Sequence, residues 1–210
     1  MANPLRVGVV FAVGLFLNNV ERAAGQPAAG FDSDVRVEQV VTFVRPFSTN
    51  DLRISALARA NAETLVHRSA TFRDLLAALR QEPRLRIHLD VGDARGGGGR
   101  TDFQITAQRV NAAIFLKASA MTSNPARMRV VAHELAHVYE VICLPFIDST
   151  AALRGALISR GATRKHGELF ETEFALQVEE AVYGEWVANA GRSQLRRIAT
   201  AFGLEPCPRR

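Results

Sequence analysis

The segment between Pro125 and Pro145 constrains the fold more than any other part of the 210-residue chain. Apolar side chains recur in it at helical spacing, at Val131, Leu135, Val138 and Ile142. Asn124 followed by Pro125 is a typical helix start, and Pro145 cannot continue a helix. The pattern predicts a long helix whose apolar stripe is buried in a core.

Two histidines lie on this predicted helix, in the run His133-Glu134-Leu135-Ala136-His137. Positions i and i+4 share a helix face, so both imidazoles can bind one Zn²⁺ ion. We expect that face to lie beside the buried stripe rather than on it. Glu134 then lies next to the metal, where it can take a proton from the metal-bound water. The run predicts His133 and His137 as metal ligands and Glu134 as the catalytic base; the alternative is a helix with two surface histidines.

A catalytic zinc site needs a third protein ligand. The pattern from Leu169 to Asn189 predicts one long helix in which Glu171 lies on the apolar face. A carboxylate there is costly unless it is paired or binds a metal, so Glu171 is the predicted third ligand. His166, in the preceding loop, and Glu179, at the flank of the same helix, remain alternatives. Two further acids are predicted to be solvated on the opposite face: Glu173 and Glu180.

The rest of the chain predicts strands before the motif helix and helices after it, which makes an α+β domain. The predicted strands are Val35–Phe43, Arg84–Val91, Thr101–Gln108 and Ala112–Lys117. The other predicted helices are Asp51–Arg68, Thr71–Gln81, Ser149–Ser159 and Ser193–Phe202. Gly96 to Gly99 predicts a flexible loop between strands, without the Lys and Ser/Thr of a phosphate-binding loop.

The N-terminus has the pattern of a secretion signal. Arg6 precedes an apolar run from Val7 to Leu17, and small residues follow at Ala23-Ala24-Gly25. We therefore predict a signal peptide at 1–25, a single domain at 26–210 and a secreted or periplasmic protein. The run is too short for a stable membrane span. The alternative is a buried N-terminal element of a cytoplasmic protein.

The cysteines and the charge balance add two constraints. Cys143 and Cys207 either form one disulfide, as suits an exported protein, or remain two free thiols. The net charge is +5, and the basic residues are scattered arginines apart from Lys117 and Lys165. Because no aromatic residues are interleaved with them, a nucleic-acid partner is not expected. The sequence carries no signal for an oligomeric state.

The motif helix with a downstream glutamate resembles the gluzincin arrangement of zincin-type metallopeptidases. The part from about Ser48 to Glu185 also resembles small, uncharacterised bacterial HExxH proteins that are often secreted. Three segments carry that second resemblance: Ser69-Ala70-Thr71-Phe72-Arg73, Ala132 to Glu140, and Phe170-Glu171-Thr172. The resemblance implies a zincin-like fold with a small mixed sheet against the HExxH helix, further C-terminal helices, and Glu171 as a zinc ligand.

These observations predict a zinc-dependent hydrolase, most simply an endopeptidase acting on a peptide or protein substrate. One alternative is a non-catalytic zinc-binding protein of the same fold, because the short chain leaves little room for a propeptide or a recognition domain. Another is an SprT-like, DNA-associated peptidase, since His166-Gly167 followed by Phe170 resembles the HGxxF segment of that family. That resemblance implies His166 as the third ligand.

Overall fold

The computed structural model describes residues 41–43, 49–91, 98–121, 124–145, 147–165, 169–189, 191–204 and 207. The predicted signal peptide and His166 lie outside these ranges. The strands are β1 Val41–Phe43, β2 Leu85–Val91, β3 Gly99–Thr106, β4 Arg109–Leu116, β5 Thr163–Lys165 and β6 Leu169–Glu171. The helices are α1 Thr49–Arg68, α2 Ala70–Arg80, α3 Asn124–Cys143, α4 Thr150–Ser159, α5 Glu173–Ala188 and α6 Leu195–Ala201. The predicted α+β class is confirmed, and none of the described helices is long and apolar enough to cross a bilayer.

The larger sheet is mixed, with strand order β1-β2-β4-β3. Strands β1, β2 and β4 run parallel, and β3 pairs antiparallel with β4 at the edge. Strand β2 has the predicted alternation, because Ile87 and Leu89 are buried while His88 is exposed. The sheet packs against α1 and α3, so β3 lies beside the motif helix.

Helix α3 lies at the centre of the molecule. It contacts α1, α2 and α5 as well as β3 and β4, and every residue from Val130 to Leu144 is buried. The expectation that His133 and His137 lie beside the buried stripe, on a less buried face, is therefore wrong. Both side chains are fully buried because neighbouring elements cover the helix on all sides.

The predicted helix from Leu169 to Asn189 is also wrong at its start. Strand β6 pairs antiparallel with β5, and α5 begins only after Thr172. Thr172 has an extended backbone, and its hydroxyl accepts a hydrogen bond from the amide of Ala175 at 3.3 Å. This N-cap ends the strand and starts the helix, although the apolar pattern continues across both. The expectation that all strands precede the motif helix is also wrong, because β5 and β6 form an antiparallel hairpin after α3.

Helix α5 is tied to the beginning of α2 by a buried carboxylate, Glu185. It accepts hydrogen bonds from the hydroxyl of Ser69 at 2.7 Å and from the backbone amide of Thr71 at 2.9 Å. The hydroxyl of Thr71 donates to its other oxygen at 2.5 Å. Glu185 therefore satisfies donors at the N-terminus of α2, where a negative charge is favourable.

The two cysteines form a disulfide between Cys143, the last residue of α3, and Cys207. Their sequence separation is 64 residues, so the closed loop contains α4, the β5–β6 hairpin, α5 and α6. The bond joins the C-terminal segment to the end of the motif helix.

Candidate metal centre

The structure brings His133, His137 and Glu171 together in the core. Nε2 of His133 lies 2.9 Å from Nε2 of His137 and 3.1 Å from Oε1 of Glu171. Nε2 of His137 lies 3.6 Å from the same carboxylate oxygen. One donor atom from each side chain thus points to a common centre, and these three form a buried group that can hold a metal ion.

The donor spacing fits a tetrahedral metal. Ligand atoms bound at about 2.0–2.1 Å in that geometry lie about 3.3 Å apart, and the three observed separations lie on either side of this value. Two imidazoles and one carboxylate form a donor set that Zn²⁺ accepts, although imidazole also suits other transition metals. The residues present therefore fit a divalent metal.

Two elements deliver these donors. Helix α3 places His133 and His137 one turn apart, as the i and i+4 spacing predicts. Glu171 is the last residue of β6, so it reaches the centre from a strand and not from the predicted helix face. The next residue, Thr172, donates its hydroxyl hydrogen to the buried carboxylate of Glu140 at 2.8 Å. The end of β6 is thereby fixed against α3.

The alternative ligands have different places in the structure. Glu179 contacts His133, but its Oε2 lies 2.8 Å from Nδ1, the ring nitrogen turned away from the three-donor group. It therefore supports the imidazole from behind and does not belong to the group itself. Glu173 and Glu180 are exposed, as predicted. The interpretation of His166 as a ligand stays a prediction, because that residue lies outside the described ranges.

Glu134 is held from the other side by the edge strand β3. The hydroxyl of Thr101 donates a hydrogen bond of 2.6 Å to Oε2 of Glu134. Gly99 faces the same carboxylate so closely that a Cβ atom there would lie 2.4 Å from Oε1. Among the described residues, Oε1 has no hydrogen-bond partner. The sequence predicts the glycine run as a mobile hairpin near the site, but it does not predict the contacts of Gly99 and Thr101 with Glu134.

Burial and close charges shift the pKa values of His133, Glu171 and Glu134. Burial alone would lower the pKa of His133, but hydrogen bonds to Glu171 and Glu179 raise it to about 10. Burial alone would raise the pKa of Glu171, but its hydrogen bonds to His133 and His137 hold it well below its usual value. Burial raises the pKa of Glu134 to about 7, against the opposing effect of the two imidazoles. Without metal, the pair of His133 and Glu171 is thus ionised at neutral pH.

Comparison of the chain with protein-family models, with curated proteins and with solved structures finds no match.

Proposed function

We propose that the chain is a zinc-dependent hydrolase, most simply an endopeptidase, with His133, His137 and Glu171 as metal ligands. The observation that carries the proposal is the convergence of these three buried donors next to a fourth buried group, Glu134. A bound Zn²⁺ supplies Lewis-acid chemistry, polarising a substrate carbonyl and making a coordinated water more acidic. The zincin-like fold implied by the sequence resemblance is part of the same proposal.

In this proposal Glu134 is first the general base and then the general acid. It accepts a proton from the attacking water and passes it to the leaving amine of the cleaved peptide bond. Burial raises the pKa of Glu134, which makes its carboxylate a better proton acceptor than an exposed one. Thr101 occupies Oε2 of this carboxylate, which leaves Oε1 as the oxygen that exchanges the proton.

Strand β3 supports a peptide as the substrate. It lies at the edge of the sheet, and in the described part of the chain no strand pairs with its outer side. Its residues Gly99 and Thr101 contact the carboxylate of Glu134. An extended peptide added along this edge would pair with the backbone of β3 and pass close to the base.

Export to the periplasm or the medium is part of the proposal. The disulfide between Cys143 and Cys207 supports it, because such bonds persist in oxidising compartments and are rare in the cytosol. The signal pattern at 1–25 is the second support.

The test measures zinc content and cleavage of fluorescein-labelled casein for four purified proteins: wild type, Glu171→Gln, Glu134→Gln and Glu173→Gln. We expect one zinc per wild-type chain, loss of zinc with Glu171→Gln, and zinc without cleavage for Glu134→Gln. Glu173 is the matched control, because it is exposed and lies two residues after Glu171. Full cleavage by Glu134→Gln would rule out the proposed base.

A second candidate is a non-catalytic metal-binding protein, and the burial of the centre favours it. His133, Glu134 and His137 are 0% exposed and Glu171 is 3% exposed, whereas catalytic zinc sites keep a position open to water. The same four proteins separate the candidates. Zinc in both wild type and Glu134→Gln, with no cleavage of labelled casein or unfolded protein by either, would favour a structural site.

A further inference from the structure

A chain of charged contacts lies behind His133, on the side away from the proposed metal. Glu179 of α5 accepts a hydrogen bond from the Nε of Arg129 through Oε1 and lies against Nδ1 of His133 through Oε2. The two distances are both 2.8 Å. Glu179 is buried, and one of its oxygens contacts Arg129 while the other contacts His133.

Arg129 is itself held in place. Its terminal nitrogen Nη2 pairs with the exposed Glu180, and its guanidinium lies over the ring of Tyr183 at 4.7 Å from the centroid. A guanidinium that lies over a ring face and donates its Nε–H to a buried carboxylate keeps a defined direction. Arg129 therefore presents one N–H to Glu179 from a fixed position.

From this geometry we infer that Glu179, fixed by Arg129, is a positioning residue that selects the metal-binding form of His133. A carboxylate can only accept, so Glu179 requires a hydrogen on Nδ1 of the imidazole. In the neutral imidazole that binds a metal, Nε2 then carries the lone pair, and this nitrogen faces Glu171 and His137. The inference rests on the metal binding in the proposed function but not on hydrolysis.

The arrangement makes Glu179→Gln an informative variant. A glutamine has one acceptor oxygen, whereas Arg129 and His133 both need an acceptor at this position. If the amide oxygen faces Arg129, the amide N–H₂ faces His133 and moves the ring hydrogen to Nε2, where it opposes metal binding. The defect should therefore depend on Arg129. Changing Arg129→Met in the same protein frees the amide oxygen to turn back to His133.

The matched control is Glu180→Gln. Glu180 is adjacent in sequence and pairs with the same arginine, but its side chain is 64% exposed and the structure describes no contact between it and His133. A surface pair of this kind contributes little. Glu180→Gln should therefore leave zinc affinity within about threefold of wild type.

The experiment measures Zn²⁺ affinity of the full-length protein by competition with a chromophoric chelator, and the visible spectrum of the Co²⁺-substituted protein. We expect Glu179→Gln to bind Zn²⁺ about 10- to 100-fold more weakly, with one site retained and an altered Co²⁺ spectrum. Arg129→Met/Glu179→Gln should bind more tightly than Glu179→Gln alone. A role in stability only would not produce this recovery, because the double variant loses more contacts; thermal unfolding of all variants measures that separately.

The outcomes separate the positioning role of Glu179 from the choice of metal ligand and from metal binding itself. Affinity unchanged in Glu179→Gln, or no recovery in the double variant, would overturn the positioning role while leaving the metal centre intact. Complete loss of zinc with Glu179→Gln together with full retention in Glu171→Gln would make Glu179 the ligand and overturn both assignments. No zinc in the wild type would refute the proposed function itself.

Discussion

Replacing Gly99 with alanine tests the closest contact of the candidate base. The new Cβ would lie 2.4 Å from Oε1 of Glu134 and 2.8 Å from its Cδ and Cγ atoms. The carboxylate cannot simply withdraw, because Thr101 holds its other oxygen at 2.6 Å. Relief of the overlap means either displaced backbone or a broken hydrogen bond to a buried carboxylate. Overpacking of this kind costs about 1–3 kcal/mol, and a hydrogen bond to a charged group is worth about 1.5–3 kcal/mol.

The assay is urea unfolding of wild type, Gly99→Ala and a control, Gly155→Ala. Gly155 lies within α4, and nothing lies within 4 Å of a Cβ built there. Alanine in a helix is favoured over glycine by about 1 kcal/mol. We therefore expect Gly99→Ala to lower the free energy of unfolding by about 1–3 kcal/mol and Gly155→Ala to raise it slightly.

A double variant isolates the contact. In Glu134→Ala the atoms that a Cβ at position 99 would meet are gone, so adding Gly99→Ala should cost little. An equal cost of Gly99→Ala in both backgrounds would refute the packing of Glu134 against Gly99. If the peptidase assay is active, a base displaced by about 1 Å should lower kcat by roughly 100-fold with one zinc still bound.

Three further predictions follow from other contacts. The disulfide closes a loop of 64 residues, so the variant Cys143→Ala/Cys207→Ala should lose up to about 4 kcal/mol in the free energy of unfolding. Urea unfolding of wild type and variant, with and without reductant, measures this loss. Without metal the pKa of His133 is raised to about 10, so zinc binding near pH 7 should release about one proton from this imidazole. For the same reason zinc affinity should rise as the pH increases towards 10. Calorimetry in buffers of different ionisation enthalpy measures this proton, and heats independent of buffer would contradict it. Glu185→Gln should lose about 2–3 kcal/mol of stability by weakening the cap of α2, yet keep one zinc, as metal analysis would show.

The sequence predicted those parts of the structure that depend on local periodicity. The spacing of His133 and His137 on α3, the alternation along β2 and the bounds of α2 within one residue all follow from neighbouring residues. The complete burial of α3 did not follow, because it depends on helices and strands distant in sequence that cover the motif face.

Glu171 shows a prediction whose reasoning was wrong. The helical pattern predicts Glu171 on a buried helix face, but the residue lies at the end of β6, and α5 begins only after its N-cap, Thr172. The structure nevertheless buries it next to both imidazoles. The contact between Thr101 and Glu134 spans 33 residues and depends on tertiary packing, so no local pattern indicates it. The helical pattern predicts Glu179 as an alternative ligand, but not its contact with Nδ1 of His133, which spans 46 residues.

The closed loop made by Cys143 and Cys207 has a consequence for a chain exposed to proteases. The two imidazoles precede this loop, whereas Glu171 and Glu179 lie within it. Arg160, at the exposed end of α4, is a position where a trypsin-like enzyme could cut. After such a cut the fragment that carries both carboxylates stays covalently attached to α3 through Cys207. A molecule cut once at Arg160 thus keeps its complete donor set in one covalent unit until the disulfide is reduced.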